Sequence, residues 1–163
     1  MSLYSVGHSN ARLESFLDLL RRHRIVTLVD VRSMPYSRYN PHFGREALQR
    51  AVEEAGVAYR FLGDRIGGKP AQKELLLENG RADYEKIAAS APYQEGIAQL
   101  MALGASAETA FMCAEADYRH CHRHWLITRT LLDRGVPVRH ILHTGAPVAA
   151  DPDDFHPRQA RLF

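Results

Sequence analysis

Two cysteines, a carboxylate and a histidine–arginine pair lie close together in the second half of the chain. Cys113 ends an apolar run typical of a buried strand, Glu115 follows it, and Cys121, His122 and Arg123 are consecutive. Core packing does not require such a density of ionisable and thiol groups, whereas ligands of α/β proteins bind where strands end. We therefore predict a functional site in this segment.

Cys113 is a candidate nucleophile. A thiol between a strand and a helix lies near unpaired backbone N–H groups, which favour the thiolate and lower the pKa below its usual value of about 8.5. Cys113 and Arg119 also have the Cys-x5-Arg spacing of cysteine-dependent phosphatases. Glu115 would place a negative charge inside such an anion cradle, and the intervening loop has no glycine. A buried, inert cysteine is the alternative interpretation.

The same residue types also suit zinc. Cys113, Cys121 and His122 would be ligands, with His8 or Glu115 as a fourth. Adjacent residues of a helix point about 100° apart, so Cys121 and His122 would not easily reach one ion. Cys121 is more simply read as a core-facing residue. A metal-dependent hydrolase remains an alternative function, and no residue is assigned as a metal ligand.

Polar residues also follow the first two predicted strands. His8 and Ser9 come after the first strand, and Asp30 and Arg32 end the second. A carboxylate at the end of a buried strand is costly without a partner, and Arg32 is the nearest cation. A structural ion pair is therefore one interpretation of Asp30. The other makes Asp30 or Glu115 a general acid or base whose pKa is set by burial and by nearby cations.

The neighbouring His122 and Arg123 suit recognition of a phosphate or carboxylate. A guanidinium donates two parallel hydrogen bonds, and an imidazole can transfer a proton near neutral pH. The alternative is an ion pair of Arg123 with Glu115 or Asp30 that only holds the helix in place. The two interpretations are compatible, because ion pairs often orient functional groups.

Basic residues are concentrated between residues 32 and 73, where eight arginines and lysines accompany four acidic residues. Within this region the loop from Ser33 to Phe43 combines Arg38 with aromatic residues, a composition that binds phosphates and stacks on bases. A lid over a cleft and a plain surface loop are the alternatives. The following stretch from Gly63 to Lys69 is rich in glycine but lacks the Gly-x4-Gly-Lys-Ser/Thr pattern of a P-loop.

Hydrophobic periodicity predicts strands that alternate with helices. Strands are predicted at residues 3–7, 25–31, 57–62, 109–114 and 136–142. Helices are predicted at residues 13–20, 47–55, 93–101 and 119–134, with shorter ones at 73–77 and 84–89 and a loop at 63–70. This alternation predicts a single α/β domain with a mostly parallel five-stranded sheet and helices on both faces.

Composition limits the class of protein. A chain of 163 residues with 45% hydrophobic residues suits one domain, expected at residues 1–143, with an irregular C-terminal tail at 144–163. A net charge of +2 is a weak argument for nucleic-acid binding. Two cysteines and the lack of a signal segment predict a cytoplasmic protein, and no apolar run approaches the roughly 20 residues of a membrane span.

Several motifs together resemble a known family. They are the segments Val6-Gly7-His8-Ser9-Asn10 and Asp30-Val31-Arg32-Ser33-Met34-Pro35, and the Cys-x-Glu and Cys-His-Arg steps between residues 113 and 123. With Asn40-Pro41-His42-Phe43 and Leu62-Gly63, they resemble the signature of the DUF488 family. The resemblance covers most of the chain. It implies no activity, because the family is defined by its sequence.

The sequence therefore predicts an enzyme, a hydrolase or a transferase, that acts on a small phosphorylated or nucleotide-like substrate at the C-terminal edge of the sheet. The predicted catalytic residues are Cys113, Glu115, Asp30 and His122. The predicted anion-binding residues are His8, Ser9, Arg32, Arg123 and Arg38. The alternative from another class is a non-catalytic nucleic-acid-binding module that uses residues 32–73. No cofactor, oligomeric state or reaction is predicted.

Overall fold

Five parallel strands form the centre of the molecule. The structure, a computed structural model, describes residues 3–155. The parallel strands are β1 (Leu3–Gly7), β2 (Thr27–Asp30), β3 (Ala58–Phe61), β4 (Thr109–Cys113) and β5 (Val138–Ile141). A short β6 (Val148–Ala149) pairs antiparallel with β5, and the strand order is β3-β2-β4-β1-β5-β6. The predicted α/β fold with a mostly parallel sheet is confirmed.

The sheet has one strand more than the five predicted. Val148 pairs with His140 and Ala149 with Arg139, within the segment that the sequence marked as an irregular tail. A strand of two residues has no alternation that could be recognised in the sequence. After β6 the chain makes a 3-10 turn at Pro152–Asp154, and the last part of the predicted tail lies outside the described residues.

Helices connect the parallel strands. The described α-helices are α1 (Leu13–Arg22), α2 (Arg45–Glu54), α3 (Gly63–Ile66), α4 (Tyr84–Ala89), α5 (Ala91–Ser106) and α6 (Arg129–Asp133). Their apolar residues recur at helical spacing, so α1 buries Phe16, Leu19 and Leu20 on one side. The carboxylate of Asp83 caps α4 by accepting a hydrogen bond from the backbone N–H of Lys86.

Three predicted elements differ from the observed ones. The expected loop at 63–70 begins with the short helix α3, the expected short helix at 73–77 is a 3-10 turn at Lys73–Leu75, and the expected helix at 119–134 is interrupted. Its first part is a 3-10 turn at Tyr118–His120, followed by Cys121 in extended conformation and by a π-helix at Arg123–Thr128 that continues into α6. Apolar spacing alone did not separate a π-helical turn from an α-helical one, and π-helical segments often occur at functional sites.

Apolar side chains cover both faces of the sheet. On one face α1 and α2 pack over Leu28, Ala110 and Met112. On the other face α3 to α6 and the π-helix pack over Val29 and Phe111. Neighbours along one strand therefore point to opposite faces, as expected for a sheet that is buried on both sides.

The topology places one crevice at the centre of the sheet. β1 and β4 are adjacent, with Gly7 opposite Cys113, but β1 leads into α1 on one face and β4 leads into the π-helix on the other. Where two adjacent parallel strands send their connections to opposite faces, the loops separate and leave a binding crevice at the carboxyl ends.

Candidate functional site

A cavity of about 320 Å³ lies at the carboxyl ends of β1, β2 and β4. This volume is within the range of small-molecule sites. Five of the predicted site residues line this pocket: His8, Arg32, Cys113, Glu115 and His122. Its other polar or aromatic lining residues are Ser33, Tyr36, Ser37, Lys69, Tyr84, His120 and Cys121. The strand ends therefore bring distant segments of the chain to one site.

Glycines allow these segments to approach each other. A Cβ atom on Gly7 would lie 1.7 Å from the backbone oxygen of Glu115, and one on Gly63 would lie 1.9 Å from that of Arg32. A Cβ atom on Gly68 would lie 2.7 Å from the ring of His122. Side chains at these positions would displace the backbone around the pocket, so the glycines are required by close packing.

Arg32 and Asp30 form a buried ion pair at the end of β2. The guanidinium donates from Nε and Nη2 to the two carboxylate oxygens of Asp30, at 2.9 and 2.7 Å. Nη1 donates to the carbonyl oxygen of Phe43 at 2.7 Å, and the hydroxyl of Tyr59 donates to Asp30 at 2.5 Å. Asp30 is fully buried and does not line the pocket. The positive charge of Arg32 is thus balanced by its own partner.

His8 is a neutral imidazole fixed between two groups. Burial, the largest effect, and the nearby charge of Arg32 lower the pKa of His8 to about 4. Nδ1 lies 2.7 Å from the carbonyl oxygen of Ser9, which requires a proton on Nδ1, so Nε2 is left to accept from Arg32 Nη1 at 3.3 Å. The ring stacks on Phe43 with centroids 4.5 Å apart. Both nitrogens of His8 are therefore occupied.

Arg123 lies directly behind Cys113. It is fully buried, and its Nη1 is 2.9 Å from Cys113 Sγ. The same nitrogen donates to the carbonyl oxygen of Glu115, Nη2 donates to that of Ala116 at 3.1 Å, and Nε donates to Ser5 Oγ at 3.2 Å. Burial lowers the pKa of Arg123 to about 10, so it stays charged at neutral pH. Neither ion pair anticipated for Arg123, with the carboxylate of Glu115 or Asp30, is present among the described residues.

A chain of hydrogen bonds extends from Arg123 across the sheet. Ser5 Oγ accepts from Arg123, so its own proton is available for His140 Nδ1 at 2.5 Å. His140 Nε2 then donates to His124 Nδ1 at 3.1 Å, and His124 Nε2 donates to the carboxylate of Asp154 at 3.0 Å. Burial lowers the pKa of His124 and lowers that of His140 to about 3, so both rings are neutral. The chain holds the Nε side of Arg123 in one orientation.

A disulfide bond joins Cys113 and Cys121 in the wall of the pocket. Their Cα atoms are 7.5 Å apart, beyond the usual range for a disulfide of about 4.4–6.8 Å. The backbone N–H of Arg123 points at Cys121 Sγ at 3.4 Å, and His122 Nδ1 lies 3.6 Å from the same sulfur. The prediction that Cys121 faces the core is therefore incomplete, because Cys121 belongs to the core cluster and to the pocket lining.

His122 is held in place through Nε2, the ring nitrogen that does not face Cys121. Nε2 lies 3.1 Å from the carbonyl oxygen of Val31, which requires a proton on Nε2 and leaves Nδ1 as an acceptor toward Cys121. Burial, the largest effect, lowers the pKa of His122 to about 4. The ring is therefore neutral at physiological pH and presents a free lone pair to a thiol.

Four predicted site residues lie outside the pocket lining. Asp30 and Arg123 are buried behind it, Ser9 follows His8 away from it, and Arg38 is exposed on the neighbouring loop. Arg119, the candidate phosphate-binding residue of the Cys-x5-Arg spacing, also points away and pairs with Asp117 at 3.0 Å. Cys113 and Arg119 therefore do not form a phosphatase-like cradle.

Other residues of the site were not predicted. Lys69 lines the pocket and is exposed, and its backbone N–H donates to Ser33 Oγ at 2.9 Å. Its signal was its place at the end of the glycine-rich stretch after β3. By contrast, His140 and Asp154 are joined to Arg123 only by tertiary structure. No local motif marks either of them.

Residues 3–155 contain neither a candidate metal site nor a candidate membrane-spanning helix. No group of three or more histidine, cysteine, aspartate or glutamate side chains is arranged to hold a metal ion in this part of the chain. None of the helices described there combines the length and the apolar character needed to cross a membrane.

Comparisons with known proteins identify a family and nothing closer. No curated protein and no solved structure shows significant similarity to this chain. The sequence model of one family, described as a domain of unknown function, DUF488, matches residues 12–138, which is more than half of the chain. The match includes the ends of β2 and β4 and the Cys-His-Arg step. The chain therefore belongs to the DUF488 family.

Proposed function

We propose that this protein is an enzyme, a hydrolase or a transferase, that acts on a small phosphorylated or nucleotide-like substrate in the pocket. One observation supports this function above the others. The sulfur of Cys113 lines the pocket, and the charged guanidinium of Arg123, which has no carboxylate partner among the described residues, lies 2.9 Å behind it. A cation at this distance favours the thiolate, which is the nucleophilic form of cysteine.

The anionic group of the substrate binds at the opening of the pocket. Lys69 and His120 are exposed there, whereas Arg32, which also lines the pocket, has its guanidinium committed to Asp30 and Phe43. Tyr36 is 73% exposed in the pocket wall and supplies a flat surface for a base or sugar. Lys69 thus takes the anion-binding role that the sequence suggested for Arg123 and Arg38.

The proposed reaction has two steps. In the first, the Cys113 thiolate attacks phosphorus, an S–P bond forms, the P–O bond to the leaving group breaks, and the departing alkoxide takes a proton from water and leaves as an alcohol. In the second, water or an acceptor hydroxyl attacks the same phosphorus, the S–P bond breaks and the thiolate returns. Glu115 is exposed in the pocket lining and takes the proton from the attacking oxygen in the second step.

A binding and turnover panel tests this function. Reduced protein is titrated with nucleoside phosphates and sugar phosphates, and phosphate release or transfer is followed. We expect Lys69→Ala to weaken binding about tenfold, because it removes an exposed cation from the pocket. The control Lys73→Ala removes an exposed lysine outside the pocket lining. We expect Cys113→Ser to keep binding and to abolish turnover. Equal binding by the two lysine variants would contradict the proposal.

A nucleic-acid-binding module is the second candidate. Tyr36 and Tyr39 are 73% and 86% exposed in one loop, and Arg38 lies 5.9 Å from the ring of Tyr39. Bases stack on exposed aromatic rings next to cations. Only Tyr36 lines the pocket. Tyr39→Ala should therefore weaken binding of single-stranded nucleic acid and leave binding of a small nucleotide unchanged, and only the former should fall steeply with salt.

We also propose that the protein works in the reducing cytoplasm. The thiolate chemistry needs both cysteines in their thiol form, and a cytoplasmic thiol pool maintains that form.

A further inference from the structure

The two cysteines are the only ones of the chain, and both line the same pocket. They lie eight residues apart, on either side of the loop that follows β4, and a disulfide bond joins their sulfur atoms. Two thiols brought together by the fold at an open pocket have a chemistry that neither has alone. Oxidation of one of them can be resolved by the other.

The two sulfurs have different surroundings. Cys113 Sγ has the guanidinium of Arg123 at 2.9 Å, which favours its thiolate. Cys121 Sγ has the neutral His122 Nδ1 at 3.6 Å, which can accept a hydrogen bond from the reduced thiol. Cys113 is therefore suited to react first with an oxidant. Cys121 is suited to attack the oxidised Cys113 in the step that forms the disulfide.

We propose that Cys113 and Cys121 are a reversible dithiol–disulfide pair, in which a hydroperoxide oxidises Cys113 and Cys121 resolves it. That the disulfide also switches off catalysis rests on the proposed function, whereas the redox pair itself does not.

The chemistry balances in three steps. The Cys113 thiolate attacks the terminal oxygen of the hydroperoxide, an S–O bond forms, the O–O bond breaks, and the alkoxide takes a proton and leaves as alcohol. The Cys121 thiol attacks the sulfenic sulfur of Cys113, the S–S bond forms, the S–O bond breaks, and the thiol proton leaves with the hydroxyl group as water. The two cysteines lose two electrons in total. In the third step a dithiol reductant returns them: one of its thiolates attacks the disulfide, the S–S bond of the protein breaks, and the second thiol of the reductant displaces the remaining cysteine thiolate, so that the reductant leaves as its own disulfide.

The disulfide lies in the wall of the pocket. The loop at 114–120 joins the two cysteines and carries Glu115 and His120 into the pocket lining. Oxidation therefore removes the Cys113 thiolate from the same pocket that Glu115 lines.

Mass spectrometry of the reduced protein treated with hydrogen peroxide tests the pair. We expect wild type to lose two hydrogens, to lose both alkylatable thiols and to recover them with a dithiol. Cys121→Ser should instead gain oxygen on the peptide that contains Cys113. Cys113→Ser should lose its remaining thiol at least about tenfold more slowly, because Cys121 lacks the cation. Met34 is 72% exposed and also gains oxygen, so Met34→Leu is the background for all variants. Met112 lies on the same peptide as Cys113, so fragmentation of that peptide assigns the added oxygen to Cys113 or to Met112.

The outcomes separate the two proposals. Oxygen addition on Cys113 of the wild type without a disulfide, or equally fast oxidation of Cys113→Ser, would overturn the redox pair. Binding of the phosphate panel is then compared between the reduced and the oxidised protein. If the reduced protein binds no phosphorylated compound while the disulfide forms as described, the proposed function fails and the redox pair stands.

Discussion

The two buried arginines of the site differ in their partners. Arg32, at the end of β2, is neutralised by both oxygens of Asp30. Arg123, at the start of the π-helix, has a sulfur, a hydroxyl and two backbone carbonyl groups as partners, and none of these carries a full negative charge when the thiol is protonated. The charge of Arg32 is therefore neutralised by a carboxylate inside the protein, whereas the charge of Arg123 lies next to the sulfur of Cys113.

The charges of the two arginines have different roles. A buried pair such as Arg32 and Asp30 fixes the geometry of a strand end, and its loss leaves an uncompensated charge. A buried cation without an anionic partner costs stability, and the hydrogen bonds that Arg123 donates offset part of this cost. Arg32 therefore stabilises the end of β2 through its ion pair, whereas Arg123 places an unneutralised positive charge next to the end of β4.

The largest effect is expected from breaking the neutralised pair. Asp30→Ala leaves the guanidinium of Arg32 buried without an anion, and we expect the free energy of unfolding to fall by about 3–5 kcal/mol. Urea denaturation measures this change. Replacing both partners by apolar residues, as in Asp30→Leu with Arg32→Met, should restore most of the lost stability. A loss below about 1 kcal/mol for Asp30→Ala would show that Arg32 reaches solvent.

A smaller loss is expected from disturbing the surroundings of Arg123. In Gly7→Ala the new Cβ would lie 1.7 Å from the carbonyl oxygen of Glu115 and 3.1 Å from Arg123 Nη1. Because the first contact is with backbone, we expect the free energy of unfolding to fall by about 2 kcal/mol or more. Gly145→Ala is the matched control, since nothing lies within 4 Å of its Cβ position. Similar stability of the two variants would contradict the close packing of β1 against the β4 loop.

The chain behind Arg123 predicts a dependence on pH. Burial lowers the pKa of His140 to about 3 in the folded protein, whereas the usual value is 6.5, so between these values the unfolded state binds more protons. Stability contributed by neutral His140 is therefore complete above pH 6.5 and is lost as the pH falls. We expect a loss of about 1–2 kcal/mol between pH 7 and pH 5 from this group.

Urea denaturation at several pH values checks this expectation. His140→Asn removes the titrating group, so its free energy of unfolding should fall less steeply on acidification, whatever its stability at pH 7. The exposed His120→Asn is the control and should keep the slope of the wild type. Equal slopes for His140→Asn and the wild type would show that His140 is not held neutral by the fold.

Sequence reasoning succeeded where local pattern determines structure. Apolar runs predicted the five parallel strands, and the rule that ligands bind at strand ends placed His8, Arg32 and Cys113 together. It did not distinguish the two arginines, because burial and hydrogen-bond partners depend on which distant segments pack together. The partners of Arg123 include Ser5, which is 118 residues away in sequence.

The smallest effect in energy distinguishes the two arginines directly. In a Cys121→Ser background only one thiol remains, and the rate of its alkylation against pH reports the pKa of Cys113. Arg123→Met removes the cation next to the sulfur, so we expect this pKa to rise by about one unit, equivalent to roughly 1.4 kcal/mol. The charge of Arg32 is neutralised by Asp30, so the double variant Asp30→Leu with Arg32→Met should leave the pKa of Cys113 nearly unchanged. Equal shifts would mean that the thiol senses the overall charge of the pocket, and the electrostatic role assigned to Arg123 would then be wrong.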